Sequence, residues 1–411
     1  MSNAPAERAE HRSVDVAIVG GGLVGASLAL ALAPLIERFG LTVAVIEAAP
    51  LGDSDTSGYQ PSFDERASAI AFGSRRHFEA MGIWSQLAER AGDIHHIHIS
   101  QRGHPGVTRL SREDVRLPAL GHVLPNAWLG RVLHERLAEQ ALQWYCPARV
   151  EQIAPHPGGH RLVLDSGIVL DAGLTVLADG GRSPLKQQLG IDTDVRHFDQ
   201  HALIANVEVG RDHRGWAFER FTPEGPMALL PQTAQRMALI WTRPPAVAEE
   251  LARLDERPFL HALQQHFGDR LGRFRRLGTR HVYPLSTARA REQSRPHLAI
   301  LGNAAHALHP VAGQGFNLAL RGVMALRDAL TAHLTEGQAP GNAAMMREFE
   351  RRRGADRDLI MPASSSLVAL FEQQWPGLAH LRSAGLTGLE VNAPLKRLVT
   401  RRAMGLFHGH D

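Results

Sequence analysis

The chain has 411 residues, with 45 Lys and Arg against 42 Asp and Glu and a formal net charge of +3. That balance, with no clustered basic face in the body of the chain, excludes nucleic-acid binding as the first reading. No run of eighteen uncharged apolar residues exists, so no helix is expected to span a membrane. Cys146 is the single cysteine, which excludes an internal disulfide and a cysteine-based metal site. Lys186 and Lys396 are the only lysines, which argues against Schiff-base chemistry. A chain of this length exceeds one ordinary core and predicts two lobes.

The first thirteen residues are polar and charged, lack the apolar core of a secretion signal, and read as a flexible tail. Val14 to Val19 is a β-rich run that feeds into Gly20, Gly22 and Gly25. A helical pattern follows from Ala26 to Phe39, with Pro34 expected to kink or end it. A second strand, Leu41 to Ile46, ends on Glu47. This is a complete βαβ dinucleotide fingerprint. Gly20 makes the tight turn, Gly22 lets backbone approach a pyrophosphate, and Gly25 lets helix pack on strand. Glu47 stands where a carboxylate accepts from ribose hydroxyls, and its charge disfavours a 2′-phosphate in that slot.

Residues 48–62 read as a polar loop, after which Arg66 is expected to open a helix through Phe78, Met81 and Trp84. Arg66 can neutralise phosphate there or be a solvated cation. In Ile94 to Ile99, alternation puts His96 and His98 on one strand face, expected to be the wetter one. Two histidines without a matching carboxylate or cysteine cluster do not make a metal site, and no metal is expected. Residues 102–106 form a turn. Trp128 to Trp144 reads as an amphipathic helix, with Arg131 beside its apolar stripe.

Two short strands flank the turn Asp165-Ser166-Gly167. A further strand, Leu174 to Ala178, ends in Asp179-Gly180, a second wall for a cofactor site. Residues 196–285 read as an antiparallel sheet of consecutive strands, with a helix from Leu251 to Phe267 and a return to the first lobe through Val282 to Leu285. His297 to Leu301 is another buried strand, and Gly302 to Asn317 connects it to a helix. In that connection Pro310 stiffens the chain, Gly313 and Gly315 permit close backbone approach, and the helix start directs free N–H groups at the same place. Beyond residue 335 the chain is helical. Leu395 to Phe407 mixes cations with apolar residues, which suits either an anionic membrane surface or packing on the body.

These are three cofactor-like motifs but only one dinucleotide fingerprint. One tightly held dinucleotide plus a loop shaped for a flat ring points to FAD. A helix starting near Gly315 adds positive potential at the ring's pyrimidine edge.

Gly20-x-Gly22-x-x-Gly25, Asp179-Gly180 and the Gly302 to Asn317 stretch resemble the single-component FAD-dependent aromatic hydroxylases related to para-hydroxybenzoate hydroxylase. Within that family the chain is most similar to the ubiquinone-biosynthesis hydroxylases. Asp64-x-Arg66-Ala67, His98-x-Ser100-x-Arg102-Gly103-His104, Ala217 to Thr222 with Gly225-Pro226 and Leu230-Pro231, and Gly302-Asn303-Ala304-Ala305 carry this closer likeness. The family usually has Gly-Asp where this chain has Gly302-Asn303, so Asn303 keeps a hydrogen-bonding contact without its charge.

The resemblance implies an α/β fold: a Rossmann-like, glutathione-reductase-like FAD-binding domain, an inserted antiparallel-sheet substrate domain and a helical C-terminus. The implied division is a tail over 1–13, an FAD-binding domain over 14–95, 122–190 and 286–335, a substrate domain over 96–121 and 191–285, and a helical region over 336–411. The FAD contacts it implies are Gly20, Gly22, Gly25, Glu47, Arg66, Arg131, Asp179, Gly180, Asn303, Pro310, Gly313, Gly315 and Asn317. NAD(P)H is implied as transient reductant, and a prenylated phenol and O2 as substrates, with ring hydroxylation through a flavin C4a-hydroperoxide.

No side chain is named as catalytic. His309 is a candidate proton acceptor on equal terms with a structural role. The expected location is cytoplasmic, with peripheral contact to the inner membrane or a ubiquinone-synthesis complex. A hydroxylase of a soluble aromatic, a flavin reductase of prenyl chains and a non-catalytic flavoprotein scaffold are the rival readings.

Overall fold

The computed structural model describes residues 10–50, 66–233, 235–308, 313–354 and 377–406. Its first sheet runs in the order Ser294–Arg295, Leu298–Ile300, Val169–Leu177, His11–Val19, Val43–Ile46, Gln143–Tyr145. The last five strands are mutually parallel. Alternation along His11–Val19 explains why its apolar run is nearly continuous. Val16 and Ile18 face the helices Leu23–Phe39, Asn126–Leu137 and Gln314–Thr335, while Ala17 and Val19 face a second core with Leu185 and Leu189. A parallel sheet covered on both faces needs apolar residues at every position.

Several expectations change. The first strand begins at His11, because residues 11–13 pair with Val169 to Asp171. The first helix runs through Pro34 to Phe39 and ends on a left-handed Gly40, whose N–H donates to the Ile36 carbonyl at 3.0 Å. Ala67–Ala71 is a strand, with the helix starting only at Phe72. It forms a three-stranded sheet with Gly121–Pro125 and Gly92–Ile94, and this pairing overrides the helical preference of its alanines. The expected long helix to Trp144 ends at Leu137, and Gln143–Tyr145 joins the first sheet beside Val43–Ile46. The two apolar runs around Gly173 are one strand, Val169–Leu177.

The large antiparallel sheet has the order His306–Ala307, His281–Ala290, Thr193–Val209, Arg236–Arg243, Gly225–Thr233, Trp216–Thr222, His96–Gln101, Val107–Ser111. One pair in it, Trp216–Thr222 with His96–Gln101, is parallel. Val282 to Leu285 therefore lies inside a sheet strand and does not yet return to the first lobe. The expected single helix is two, Pro245–Arg253 and Glu256–Phe267, because Leu254 between them is extended. These helices cover one face of the sheet, over Leu203, Leu239 and Trp241. The other face presents Ala217, Leu230 and Ile99 to Ala67 and Ala69 of the first lobe.

His98 belongs to the helix-covered face. It is 8 % exposed and lies 5.8 Å from the Phe218 ring, so the histidine face is the drier one, contrary to expectation. At the C-terminus, Leu378–Val391 and Ala393–Ala403 dock on the body. Ser383 Oγ accepts from Gly106 N–H at 2.8 Å, and Lys396 pairs with Asp114 at 3.3 Å.

Candidate functional site

The three motifs meet. A Cβ on Gly20, at φ +106°, would lie 2.6 Å from the Ala178 carbonyl oxygen, at the entrance to Asp179-Gly180. A Cβ on Gly181 would touch Asn303 O and Ala304 Cα at 3.5 Å, and one on Gly302 would meet Val24 at 2.9 Å. Glycine loop, Asp-Gly turn and third motif thus touch in a closed ring. Gly25 is where the first helix crosses nearest its own turn: a Cβ there would stand 1.8 Å from Gly20 O. At Gly20 and Gly25 the contact is with backbone, so only residues without side chains fit there.

The first helix starts on Gly22 with no side-chain cap and no acid in its first turn. Its N-terminus therefore offers unneutralised N–H groups and a positive dipole end, as a pyrophosphate requires. Glu47 sits against this loop: Oε2 accepts from Gly21 N–H at 2.6 Å, and Oε1 from Ala49 N–H at 2.8 Å. The helix Gln314–Thr335 has the same character, with a left-handed Gly313 as cap and no acid in its first turn. A Cβ on Gly315 would meet nothing within 4 Å among the described residues. The described residues fit a dinucleotide at one helix and a flat, electron-rich ring edge at the other.

The remaining predicted residues divide by what holds them. Asp179 builds its own turn, accepting from Gly181 N–H at 2.9 Å, Ser183 N–H at 3.1 Å and the Ser183 hydroxyl. Gly180 and Gly181 follow with φ of +72° and +75°. Asn317 is 1 % exposed, and its side-chain amide is engaged with backbone. Oδ1 accepts from Ala71 N–H at 2.8 Å, and Nδ2 donates to Ala69 O at 2.8 Å and Gly313 O at 3.0 Å. That side chain holds the helix start against the small sheet. Asn303 is exposed in the short turn Gly302–Ala304. Pro310 and His309 lie outside the described residues.

Arg66 stands at the junction of the lobes. Its carbonyl accepts from Asn126 N–H at 2.9 Å, and its guanidinium lies 5.1 Å from the ring centre of Tyr283, on the large sheet. Arg131 is exposed and pairs with Glu135 at 2.6 Å. One helical turn on, His134 hydrogen-bonds the Gly21 backbone and is held below its ordinary pKa by burial. Arg131 thus shares a helix face with a residue that touches the glycine loop.

Sequence reasoning missed three supports. His134 carries no motif. Trp144 lies 3.3 Å from where a Gly21 Cβ would stand. Lys186 ties the third motif to the second, with Nζ donating to Ala304 O at 2.9 Å and Thr193 Oγ1 at 3.1 Å. The signal for Lys186 was its rarity alone. Behind the third motif, Arg353 donates to Ile300 O at 3.2 Å and contacts His306 Nδ1 at 3.1 Å. Among the described residues no group of three His, Cys, Asp or Glu is placed to hold a metal.

Comparison with known proteins agrees with this geometry. A family model described as "FAD binding domain" matches residues 13–357. "Ubiquinone hydroxylase UbiL" of Rhodospirillum rubrum is 35 % identical over 402 residues, covering 98 % of this chain and 92 % of the relative. "3-Demethoxyubiquinol 3-hydroxylase" of Escherichia coli is 31 % identical, covering 96 % and 100 %. Among solved structures, p-nitrophenol 4-monooxygenase PnpA from Pseudomonas putida matches with a TM-score of 0.77 at 18 % identity, covering 98 % of this chain and all of that one, a likeness of fold. With the three motifs packed against one another and a family match over most of its length, the chain belongs to the FAD-binding family of aromatic-ring monooxygenases.

Proposed function

We propose that this protein hydroxylates the ring of a polyprenylated phenol in ubiquinone biosynthesis, using NAD(P)H and O2. The observation that carries the reading is the apolar sheet face packed beside the three-motif site. Ala217, Leu230 and Ile99 line that face opposite Ala67 and Ala69, next to the Gly313 cap. Names of relatives at 35 % and 31 % identity support the ubiquinone assignment.

FAD, when bound, supplies the reduction of O2 and the transfer of one oxygen atom to the ring. The chain supplies the rest. Gly20, Gly22, Gly25 and Glu47 hold the adenosine and pyrophosphate end. The start of Gln314–Thr335 places positive potential at the ring system. Asn303 offers a neutral hydrogen-bonding contact to the linker between the two ends. Arg66, against Tyr283, adds a cation on the cofactor side. The apolar face keeps water from the reacting ring and receives the hydrocarbon of the substrate.

Contact with a bilayer follows from the same reading, since a prenyl chain resides in lipid. Among the described residues six large apolar side chains are exposed, and five of them lie on the last two helices: Leu381, Val391, Leu395, Leu398 and Val399. Arg397, Arg401 and Arg402 flank them. This mixture suits the surface of an anionic membrane. No helix of the described residues is long and apolar enough to cross one.

The test is a mass-spectrometric profile of quinones and prenylphenols in cells lacking the protein, paired with O2 uptake by the pure holoenzyme. Loss of ubiquinone with a precursor one hydroxyl short, and O2 consumed in step with product, is the expected result. An intact quinone pool in cells without a redundant hydroxylase moves the substrate to a soluble aromatic. Turnover without O2 makes the protein a reductase. Bound FAD that no phenol ever re-oxidises makes it a scaffold.

A further inference from the structure

One end of the large sheet carries charge that the FAD cradle does not use. Arg102 follows the strand His96–Gln101, Arg220 lies in Trp216–Thr222, and Arg243 closes Arg236–Arg243. All three belong to the helix-covered face, opposite Tyr283. Two residues before Arg220, Phe218 packs on Phe267 with centroids 5.3 Å apart. Two residues before Arg243, Trp241 packs on His266 at 5.1 Å. Arg102 Nη1 and Arg243 Nη1 converge on the same atom, His266 Nε2, at 3.1 Å and 3.0 Å.

A single ring nitrogen has one lone pair and cannot serve two donors fully. The ring must also be neutral to accept at all. Burial and the neighbouring Arg243 and Arg102 hold its pKa down to about 4.

Donors exceed acceptors here. Glu224, in the turn between Trp216–Thr222 and Gly225–Thr233, is 3.5 Å from Arg243 and 3.9 Å from His266, and it also accepts from the Thr222 hydroxyl at 2.9 Å. The Arg243 side chain is only 12 % exposed. Nε of Arg243 and Nε of Arg220 are buried without a hydrogen-bond partner among the described residues. Arg270, exposed in the turn after the helix, adds a fourth guanidinium that acts on Arg220. Of these four guanidinium groups only Arg243 meets the Glu224 carboxylate, while Arg102 acts on both Arg220 and Arg243. Cations brought this far out of water need opposite charge with enough acceptors to meet their forks. A carboxylate supplies two oxygens in one plane. A phosphoryl group supplies three in a tetrahedral array and carries up to two charges.

We propose that Arg102, Arg220, Arg243 and Arg270 form an oxyanion site for a phosphoryl group, on the sheet face turned away from the FAD cradle. The group comes either on a soluble phosphate compound or on a phospholipid headgroup. FAD-loaded holoenzyme, whose own pyrophosphate slot is filled, is titrated with inorganic pyrophosphate and, at matched ionic strength, with chloride.

Saturable binding of pyrophosphate alone is expected, weakened roughly tenfold or more in Arg243→Ala and in the exposed Arg270→Glu. Glu224→Gln, which removes the competing carboxylate, is expected to tighten it roughly threefold, a gain that damage to the fold would not produce. A second arm uses vesicles of phosphatidylglycerol in phosphatidylcholine. Displacement of bound holoenzyme by pyrophosphate, lost in Arg102→Ala, identifies the headgroup as the source. Vesicle binding indifferent to both identifies a soluble phosphate. A response to pyrophosphate no greater than to chloride, or an affinity unchanged in all three titrated variants, overturns the site.

Discussion

The two lobes build their surfaces from different material. In the first, the site is backbone against backbone: Gly20 on Ala178 and Gly25 on Gly20. In the large sheet, the face toward Ala67 and Ala69 and the charged end are made of side chains contributed by strands far apart in sequence. A backbone-built site tolerates almost no substitution, because a single Cβ has nowhere to go. A side-chain-built surface changes by degrees.

The contrast is sharpest at Gly25. Gly25→Ala places a methyl 1.8 Å from Gly20 O, and the helix must leave the sheet to accommodate it. The expected result is protein without FAD, destabilised by more than ~3 kcal/mol, seen as absent flavin absorbance and a lowered melting temperature. Retained yellow colour would break the comparison at its strongest point.

Asn317→Ala comes next. It leaves Ala71 N–H and Ala69 O without their 2.8 Å partner inside the protein, at a cost of about 2–3 kcal/mol. FAD dissociation should accelerate as the helix start loosens, which fluorescence of released flavin measures. Arg66→Ala should act on retention with little effect on melting, weakening FAD by roughly tenfold. Unchanged retention reduces Arg66 to a packing partner of Tyr283.

The smallest effect belongs to the histidines. His98 is pushed down to about 4 by burial, then by Arg270 and Arg109; His77 goes to about 4 by burial, then by Arg327 and Arg321. A histidine depressed in the folded state leaves stability intact above 6.5. Stability is lost as pH falls from 6.5 toward 4, because the unfolded chain takes up the proton first. Melting temperatures should therefore fall from pH 7 to pH 5. His98→Gln should flatten that slope by about one proton, and an unchanged slope would show that His98 is hydrated in solution.

The same contrast explains what could be read in advance. Gly20, Gly22, Gly25 and Glu47 were legible because spacing alone dictates how backbone turns there. The strand Ala67–Ala71 was not, since its partner Gly121–Pro125 lies fifty residues on and its own residues favour a helix. His134 and Trp144 reach the glycine loop only once Gln143–Tyr145 has joined the sheet beside Val43–Ile46. The side of the sheet that His98 occupies depended on helices Pro245–Arg253 and Glu256–Phe267, which no local pattern around His98 announces. The tail was legible as apolar and basic, but its docking through Ser383 and Lys396 required knowing where Gly106 and Asp114 lie.

The strand order of the first sheet also sets a timetable. His11–Val19 sits between Val43–Ile46 and Val169–Leu177, and the latter pairs in turn with Leu298–Ile300. At about 5–20 residues per second of synthesis, the glycine loop waits on the order of tens of seconds for the contacts that Gly302 makes with Val24. The ring of three motifs closes only after every strand of the large sheet but His306–Ala307 has been made. Cofactor capture is thus a late event in the life of the chain, and a chain stopped before Leu298 would leave the edge of Val169–Leu177 unpaired in an unfinished parallel sheet.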